Sequence, residues 1–240
     1  MKPNQKKISV GSGIHSKNAR WSFGGQTAKY FQGHVEKSVP FYKDCHNLIA
    51  EFSEFFIKEN SYCLDVGCST GSLIRLLSKR HSRRVRWHGL EPEKEMMKIF
   101  KQTKPGNATL IPKRLENAKL TNKYDFIIAF CTMQFIRPSI RQQCYSKIYK
   151  KLNWGGGFIL FEKVRAPDAR FQDIVSQIYT EFKINQGFTE EQIVNKTKAL
   201  KGVLEPFSTA GNLGLIKRAG FVDVTLIFKW LCFEGYLCIK

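Results

Sequence analysis

The sequence predicts an α/β domain built on a mostly parallel sheet that closes with an antiparallel C-terminal hairpin. Three observations carry this. Short apolar runs alternate with helix-periodic segments at βα rhythm. One apolar run ends in an acid and passes straight into Gly67-Cys68-Ser69-Thr70-Gly71. Finally, the last two apolar runs are parted by only Lys229-Trp230, too few residues for a parallel crossover.

Taken in order, Cys45, Leu48, Ile49, Phe52, Phe55 and Phe56 repeat at helical spacing, so residues 45–57 read as an amphipathic helix. Residues 61–66 read as a buried strand, and Leu73, Ile74, Leu76 and Leu77 resume helical spacing after the turn. Residues 85–90 form a second strand, a helix lies around 94–101, and 109–111 is a third strand. Residues 124–130 are apolar enough to be buried on both faces. A helix over 139–152 is expected to stop at Asn153-Trp154-Gly155-Gly156-Gly157, before a fifth strand at 158–161. Two helices follow without a strand, at 167–183 and 189–201, the second opened by the capping box Thr189-Glu190-Glu191-Gln192. A helix over 208–219 stops at Gly220, and strands at 222–228 and 231–239 close the chain. The expected organisation is a basic, flexible leader (1–18) and one domain (19–240) with a helical insertion at about 166–205.

Composition excludes several classes. At 240 residues, 42% hydrophobic and 25% charged, the chain is neither disordered nor collagenous, and it needs no disulfide staples. No apolar run approaches the ~20 residues of a membrane span, and residues 1–20 lack the apolar stretch of a secretory signal. Seven scattered cysteines without a CxxC pair suit a reducing compartment, so a cytoplasmic protein is expected. The five histidines (15, 34, 46, 81, 88) do not cluster at metal spacing; no metal is expected, and His46 reads as structural. The net charge of +19 is uneven: residues 1–20 carry five cations and residues 75–86 six, with no acid in either. Such clusters suit a nucleic-acid partner.

The chemistry-bearing stretch runs from Leu64 to Gly71. Asp65 ends the strand, Gly67 lets the backbone approach a ligand closely, and Gly71 permits close helix–strand packing. Glu91 ends the next strand, where an acid can accept from ribose hydroxyls. Because Ser69 and Thr70 occupy the room a pyrophosphate would need, a nucleoside ligand without phosphates fits better. Cys68 has no sequence-adjacent histidine and reads as packing in the turn.

This combination resembles motif I and the acid after the second strand of class I S-adenosylmethionine-dependent methyltransferases, which have a Rossmann-like fold. A closer resemblance is to the carboxy-S-adenosylmethionine synthase family. It is carried by Trp21-Ser22-Phe23, Lys37 to Tyr42, Thr132 to Phe135, Leu152 to Gly156, Phe161-Glu162-Lys163, Phe182-Lys183 and Asn185 to Phe188. The family has a methyltransferase fold, forms homodimers, and converts S-adenosylmethionine and prephenate into carboxy-S-adenosylmethionine for tRNA wobble-uridine modification. The resemblance implies ligand contacts at Tyr42, Gly67, Cys68, Ser69 and Glu91. The family's Asp-Ile pair aligns with Arg114-Leu115 and its Asn after strand four with Phe130. Its carboxylate-binding Arg aligns with Thr197, between Lys196 and Lys198. A hydroxyl cannot replace a guanidinium fork.

The sequence therefore predicts a methyltransferase using S-adenosylmethionine, with carboxy-S-adenosylmethionine the less favoured ligand. Cofactor positions are Tyr42, Asp65, Gly67, Cys68, Ser69, Gly71, Glu91, Leu115 and Phe130; Tyr42 and Gln134 are the candidates at the reacting centre. The acceptor is open, with nucleic acid admitted by the basic clusters. Two alternatives stand beside it: a carboxy-S-adenosylmethionine synthase, and a non-catalytic nucleic-acid-binding protein.

Overall fold

A computed structural model describes residues 7–240. It opens with a small antiparallel hairpin, β1 (Ile8–Ser9) and β2 (His15–Ser16). Helices α1 (Gln26–Ser38) and α2 (Tyr42–Ser53) follow. The sheet then alternates with helices: β3 (Tyr62–Val66), α3 (Ser72–Arg80), β4 (Arg86–Leu90), α4 (Lys94–Thr103), β5 (Ala108–Ile111), β6 (Tyr124–Phe130), α5 (Pro138–Lys151) and β7 (Leu152–Lys163). Next come α6 (Ala169–Asn185), α7 (Glu190–Leu200), α8 (Thr209–Ala219), and the strands β8 (Asp223–Trp230) and β9 (Phe233–Ile239).

The seven strands lie in the order β5-β4-β3-β6-β7-β9-β8. The first five pair in parallel, while β9 runs antiparallel between β7 and β8. Strand order reverses at β3, so the crevice beyond the carboxyl ends of β3, β4 and β6 is where such a sheet takes its ligand. One core layer gathers Leu64, Ile127, Tyr145, Phe158 and Ile216 on one face. The other gathers Ile49, Ile74, Trp87, Phe126 and Ile159. Because successive strand residues face opposite ways, β6 fills both layers, and its near-continuous apolar run follows.

The structure bears out the α/β sheet with its terminal hairpin and corrects four details. The leader is not featureless from Lys7 onward: Val10, Ile14 and Trp21 form a small core with Ala199. This strap is tied to α7 by the amides of Ala19 and Trp21, which donate to the carbonyls of Lys198 and Ala199 at 2.9 and 3.0 Å. Helix α1 went unpredicted because its buried positions, Thr27, Ala28, His34 and Ser38, are small or polar and give no apolar stripe. The glycines at 155–157 do not stop α5. Leu152 is already extended, and the glycines lie inside β7, where a side chain at Gly157 would collide with the Phe56 ring. The hairpin turn is Leu231-Cys232 rather than Lys229-Trp230; Leu231 takes a positive φ of 48°, and Trp230 pairs with Phe233. Residues 1–6 of the leader lie outside the described residues.

Candidate functional site

A cavity of ≈ 280 Å³ opens beyond the carboxyl ends of the parallel strands. Its floor comes from the β3–α3 turn, the end of β4 and the end of β6. Its roof comes from the strap, α1, α2, α6, α7 and the end of β7.

The floor is the acidic end. Gly67 sits at φ 75° with the Thr132 side chain directly where a Cβ would stand, so this turn accepts only glycine. Ser69 also holds a positive φ, 51°, and its amide donates to Glu91 Oε2 at 2.9 Å; the Glu93 amide donates to Oε1 at 2.9 Å. These bonds fix the Glu91 carboxylate beside the turn. Asp65, at the end of β3, is 3% exposed. Burial and the neighbouring Glu91 push its carboxyl up to about 7. Burial likewise raises Glu91 to about 7, against the pull of its two amide donors. Two carboxyls so placed gain from a cation or hydroxyl donors, which favour their charged form.

The roof is the opposite in character. Lys163 from the end of β7, Lys183 from α6 and Lys196 from α7 all line the cavity, and among the described residues none has an acidic partner. The Tyr179 ring takes their place as counter-group: Lys163 Nζ stands 4.4 Å and Lys183 Nζ 4.5 Å from its centroid. The Tyr179 hydroxyl donates to the Ser38 carbonyl at 2.6 Å, tying α6 to the end of α1. Lys196 Nζ lies 2.9 Å from Ser38 Oγ and 2.7 Å from His34 Nε2, with the Trp21 ring 5.5 Å away. Burial, then Lys183 and Lys163, bring Lys196 down to about 7. Burial and Lys163 bring Lys183 to about 8, and burial lowers Lys163. His34 is driven to about 3 by burial and by Lys196, so it is neutral. With Nε2 facing the ammonium, its proton is assigned to Nδ1.

Two polar atoms among these residues have no partner: Nδ1 of His34 and Nε1 of Trp21, in side chains 3% and 8% exposed. Native proteins rarely leave a buried donor unpaired. Both are N–H donors, beside three ammonium groups and no acid. The three ammonium groups without an acidic partner among the described residues make the roof complementary to an anion.

Of the positions singled out in the sequence, Tyr42, Asp65, Gly67, Cys68, Ser69, Glu91, Phe130 and Gln134 line the cavity; Gly71 and Leu115 do not. Gly71, at φ 80°, faces Phe100 of α4 and serves packing. Leu115 is 3% exposed in the hydrophobic core, and its carbonyl accepts from Lys147. Tyr42 starts α2 with its hydroxyl 3.4 Å from Ser72 Oγ and its ring edge-on to Phe130; burial raises its phenol to about 12, so it stays protonated. Gln134 is committed to the backbone: its Oε1 accepts from the Lys163 amide at 2.9 Å and its Nε2 donates to the Cys131 carbonyl. It holds Lys163 in place rather than facing a substrate. Sequence reasoning missed Lys163, Lys183, Trp21 and His34 as site residues. Thr197 lines the cavity as well, its hydroxyl donating to the Ile193 carbonyl of its own helix. Lys198 is not in the lining. Arg114 lies close enough to Glu91 to oppose the rise in its pKa.

Comparison with known proteins agrees with this architecture. A methyltransferase-domain family matches residues 63–156. The carboxy-S-adenosyl-L-methionine synthase of Staphylococcus epidermidis is 35% identical over 223 residues, 92% of this chain and 97% of that protein. The protein of the same name from Campylobacter lari is 32% identical over 92% of this chain and 95% of its own length. Among solved structures, the plantazolicin methyltransferase BpumL, in complex with SAH, matches with a TM-score of 0.64 at 12% identity, over 90% of each chain. An O-methyltransferase family protein from Burkholderia thailandensis matches equally well in TM-score, 0.64, over 90% of this chain and 60% of its own.

Proposed function

Because the chain belongs to the carboxy-S-adenosyl-L-methionine synthase family, we propose that it uses S-adenosylmethionine and a carboxylate-bearing co-substrate to make carboxy-S-adenosylmethionine. The single observation that carries this is the polarity of the cavity. A carboxylate floor and a donor-only roof face each other within ≈ 280 Å³.

The floor suits S-adenosylmethionine. Gly67 lines it in the tight turn after the first parallel strand, Glu91 would accept from ribose hydroxyls, and Asp65 would take an ammonium group directly or through water. The sulfonium supplies an activated methyl carbon. A plain methyltransferase needs little beyond this floor and an acceptor held in line. Three half-buried lysines without acidic partners among the described residues exceed that need. Holding three like charges together is unfavourable unless an anion joins them. The prephenate implied by the family resemblance, a dicarboxylate, fits such a roof. Lys196, one residue before Thr197, supplies charge where the family's arginine is missing. It does so as a point charge, without the geometric selectivity of a fork. Trp21, Phe23 and Phe135 close the site against water; the last two rings meet edge-on at 4.9 Å.

A second reading follows from Thr197: methyl transfer from S-adenosylmethionine to an acidic small-molecule acceptor seated on the same lysines. Mass spectrometry of ligand released by denaturing freshly purified protein separates the two. Carboxy-S-adenosylmethionine is expected. S-adenosylmethionine or its demethylated product alone, with no carboxylated product after incubation with prephenate, would shift the assignment to methyl transfer.

A further inference from the structure

Five parallel strands place the cavity at one end of the sheet and leave the loops that precede the strands at the other. That second end carries a different set of features, none of them used by the cavity. Phe55, just past α2, and Trp154, in the first residues of β7, are 80% and 87% exposed. These are the extremes for aromatic rings among the described residues, and neither ring has packing to explain it. The same end carries a polar bridge. Asp125 accepts from Asn153 Nδ2 at 2.7 Å through one oxygen and from the Tyr62 amide at 3.2 Å through the other. Tyr62 in turn carries the Arg86 guanidinium over its ring at 5.3 Å. Phe56 anchors the neighbouring Phe55 by stacking on Phe126 at 5.8 Å.

The charge on this end is one-sided. Arg80 and Arg84 are paired, with Glu54 and Glu59 respectively. Arg83, Arg86, Lys123 and Lys150 are exposed and make no ion pair among the described residues. Lys123 reaches the last turn of α5, its Nζ donating to the Lys150 carbonyl at 2.8 Å, which connects the basic loops on the two sides of β6. Exposed flat rings set among unpaired cations match a chain of phosphates whose bases are free to stack. A bilayer would ask for a continuous apolar face. Here the polar and charged groups Asp125, Asn153 and Arg86 share the same end of the sheet as the two rings.

We propose that the end of the sheet opposite the cavity binds single-stranded nucleic acid, with Phe55 and Trp154 as base-stacking platforms and Arg83, Arg86, Lys123 and Lys150 as phosphate contacts. This surface is independent of the reaction assigned to the cavity and stands or falls separately from it.

The test is fluorescence anisotropy of the full chain with a labelled oligouridylate of about twenty nucleotides, repeated over a salt series. A duplex of equal length and anionic phosphatidylserine vesicles are the comparison probes. Four phosphate contacts predict a log–log salt slope of about −3 for the single strand. The double variant Phe55→Ala/Trp154→Ala should weaken single-strand binding by about tenfold or more while leaving the duplex nearly unaffected. The double variant Arg83→Glu/Arg86→Glu should weaken both and flatten the slope by about one and a half. Titration of S-adenosylmethionine into each variant verifies that the opposite end is intact. The proposal is overturned if the aromatic variant binds the single strand as wild type does. It is overturned equally if vesicles are bound and the oligonucleotide is not.

Discussion

The ammonium of Lys196 is aimed at an imidazole and not at a carboxylate: its Nζ lies 2.7 Å from Nε2 of His34. A neutral imidazole accepts the hydrogen bond but returns no charge, so the roof's cations are uncompensated by any acid among the described residues. The free pairing capacity is reserved for what enters the cavity.

The first consequence is a bell-shaped pH dependence. Asp65 and Glu91 are raised to about 7, so a cationic ligand group on the floor gains affinity as pH climbs toward 7. Lys196 is lowered to about 7, so an anion on the roof loses affinity as pH climbs beyond 7, up to about tenfold per pH unit for one titrating group. We expect kcat/KM for the pair of substrates to peak near neutrality. In Lys196→Met the alkaline limb should flatten. An unchanged alkaline limb in that variant would remove Lys196 from the anion site.

Lys196→Met also separates the two halves of the cavity. Loss of a charge-assisted bond is worth about 1.5–3 kcal/mol, so KM for the anionic co-substrate should rise roughly ten- to a hundredfold. The dissociation constant of S-adenosylmethionine should stay within about twofold, as calorimetry would read directly. Parallel losses of both ligands would point to a collapsed roof instead.

Thr197→Arg introduces the guanidinium that the family resemblance implies at this position. A bidentate fork in the cavity should tighten binding of a carboxylated ligand by about tenfold. A fourth cation beside Lys163, Lys183 and Lys196 should meanwhile lower the melting temperature of the ligand-free protein, since the like charges have no acid to share. Thermal melts with and without carboxy-S-adenosylmethionine check both signs at once.

Two glycines should respond oppositely to alanine. Gly71 holds φ 80° with the Phe100 ring where a Cβ would be, so Gly71→Ala should destabilise by about 2–4 kcal/mol. Gly33, within α1, has nothing within 4 Å of its Cβ position, and Gly33→Ala should stabilise by about 0.5–1 kcal/mol. Denaturant midpoints at constant m-value measure both.

The floor of the cavity was legible because one contiguous stretch builds it: Asp65 to Ser69 form the turn, and Glu91 ends the very next strand. The roof was not legible. Lys163 and Lys183 look like unrelated surface cations until β7 and α6 fold over the same space as α7, and no periodicity marks a polar residue as inward-facing; Lys196 stands out in the sequence only by its place beside Thr197. Helix α1 escaped for a related reason, since His34 and Ser38 face inward as parts of the lysine network instead of as an apolar stripe. Thr197 lacks the guanidinium fork, while Lys196, the residue before it on the same helix, supplies a cation to the same cavity. Leu115 aligned with a ligand position but packs in the core. The errors at Gly155 and at Lys229-Trp230 share a cause: local turn chemistry gave way to sheet pairing, β7 absorbing the first and the Trp230–Phe233 pair displacing the second.

The strap bound to α7 through Trp21 and Ala199 has one more consequence. Residues 65–91 and the roof occupy separate tracts of sequence, and the roof is stitched together from the chain's beginning and its later third. Changes in the strap, α6 or α7 can thus alter which anion is admitted while the nucleoside seat stays as it is. Within one scaffold, the reagent is inherited and its partner is open to revision.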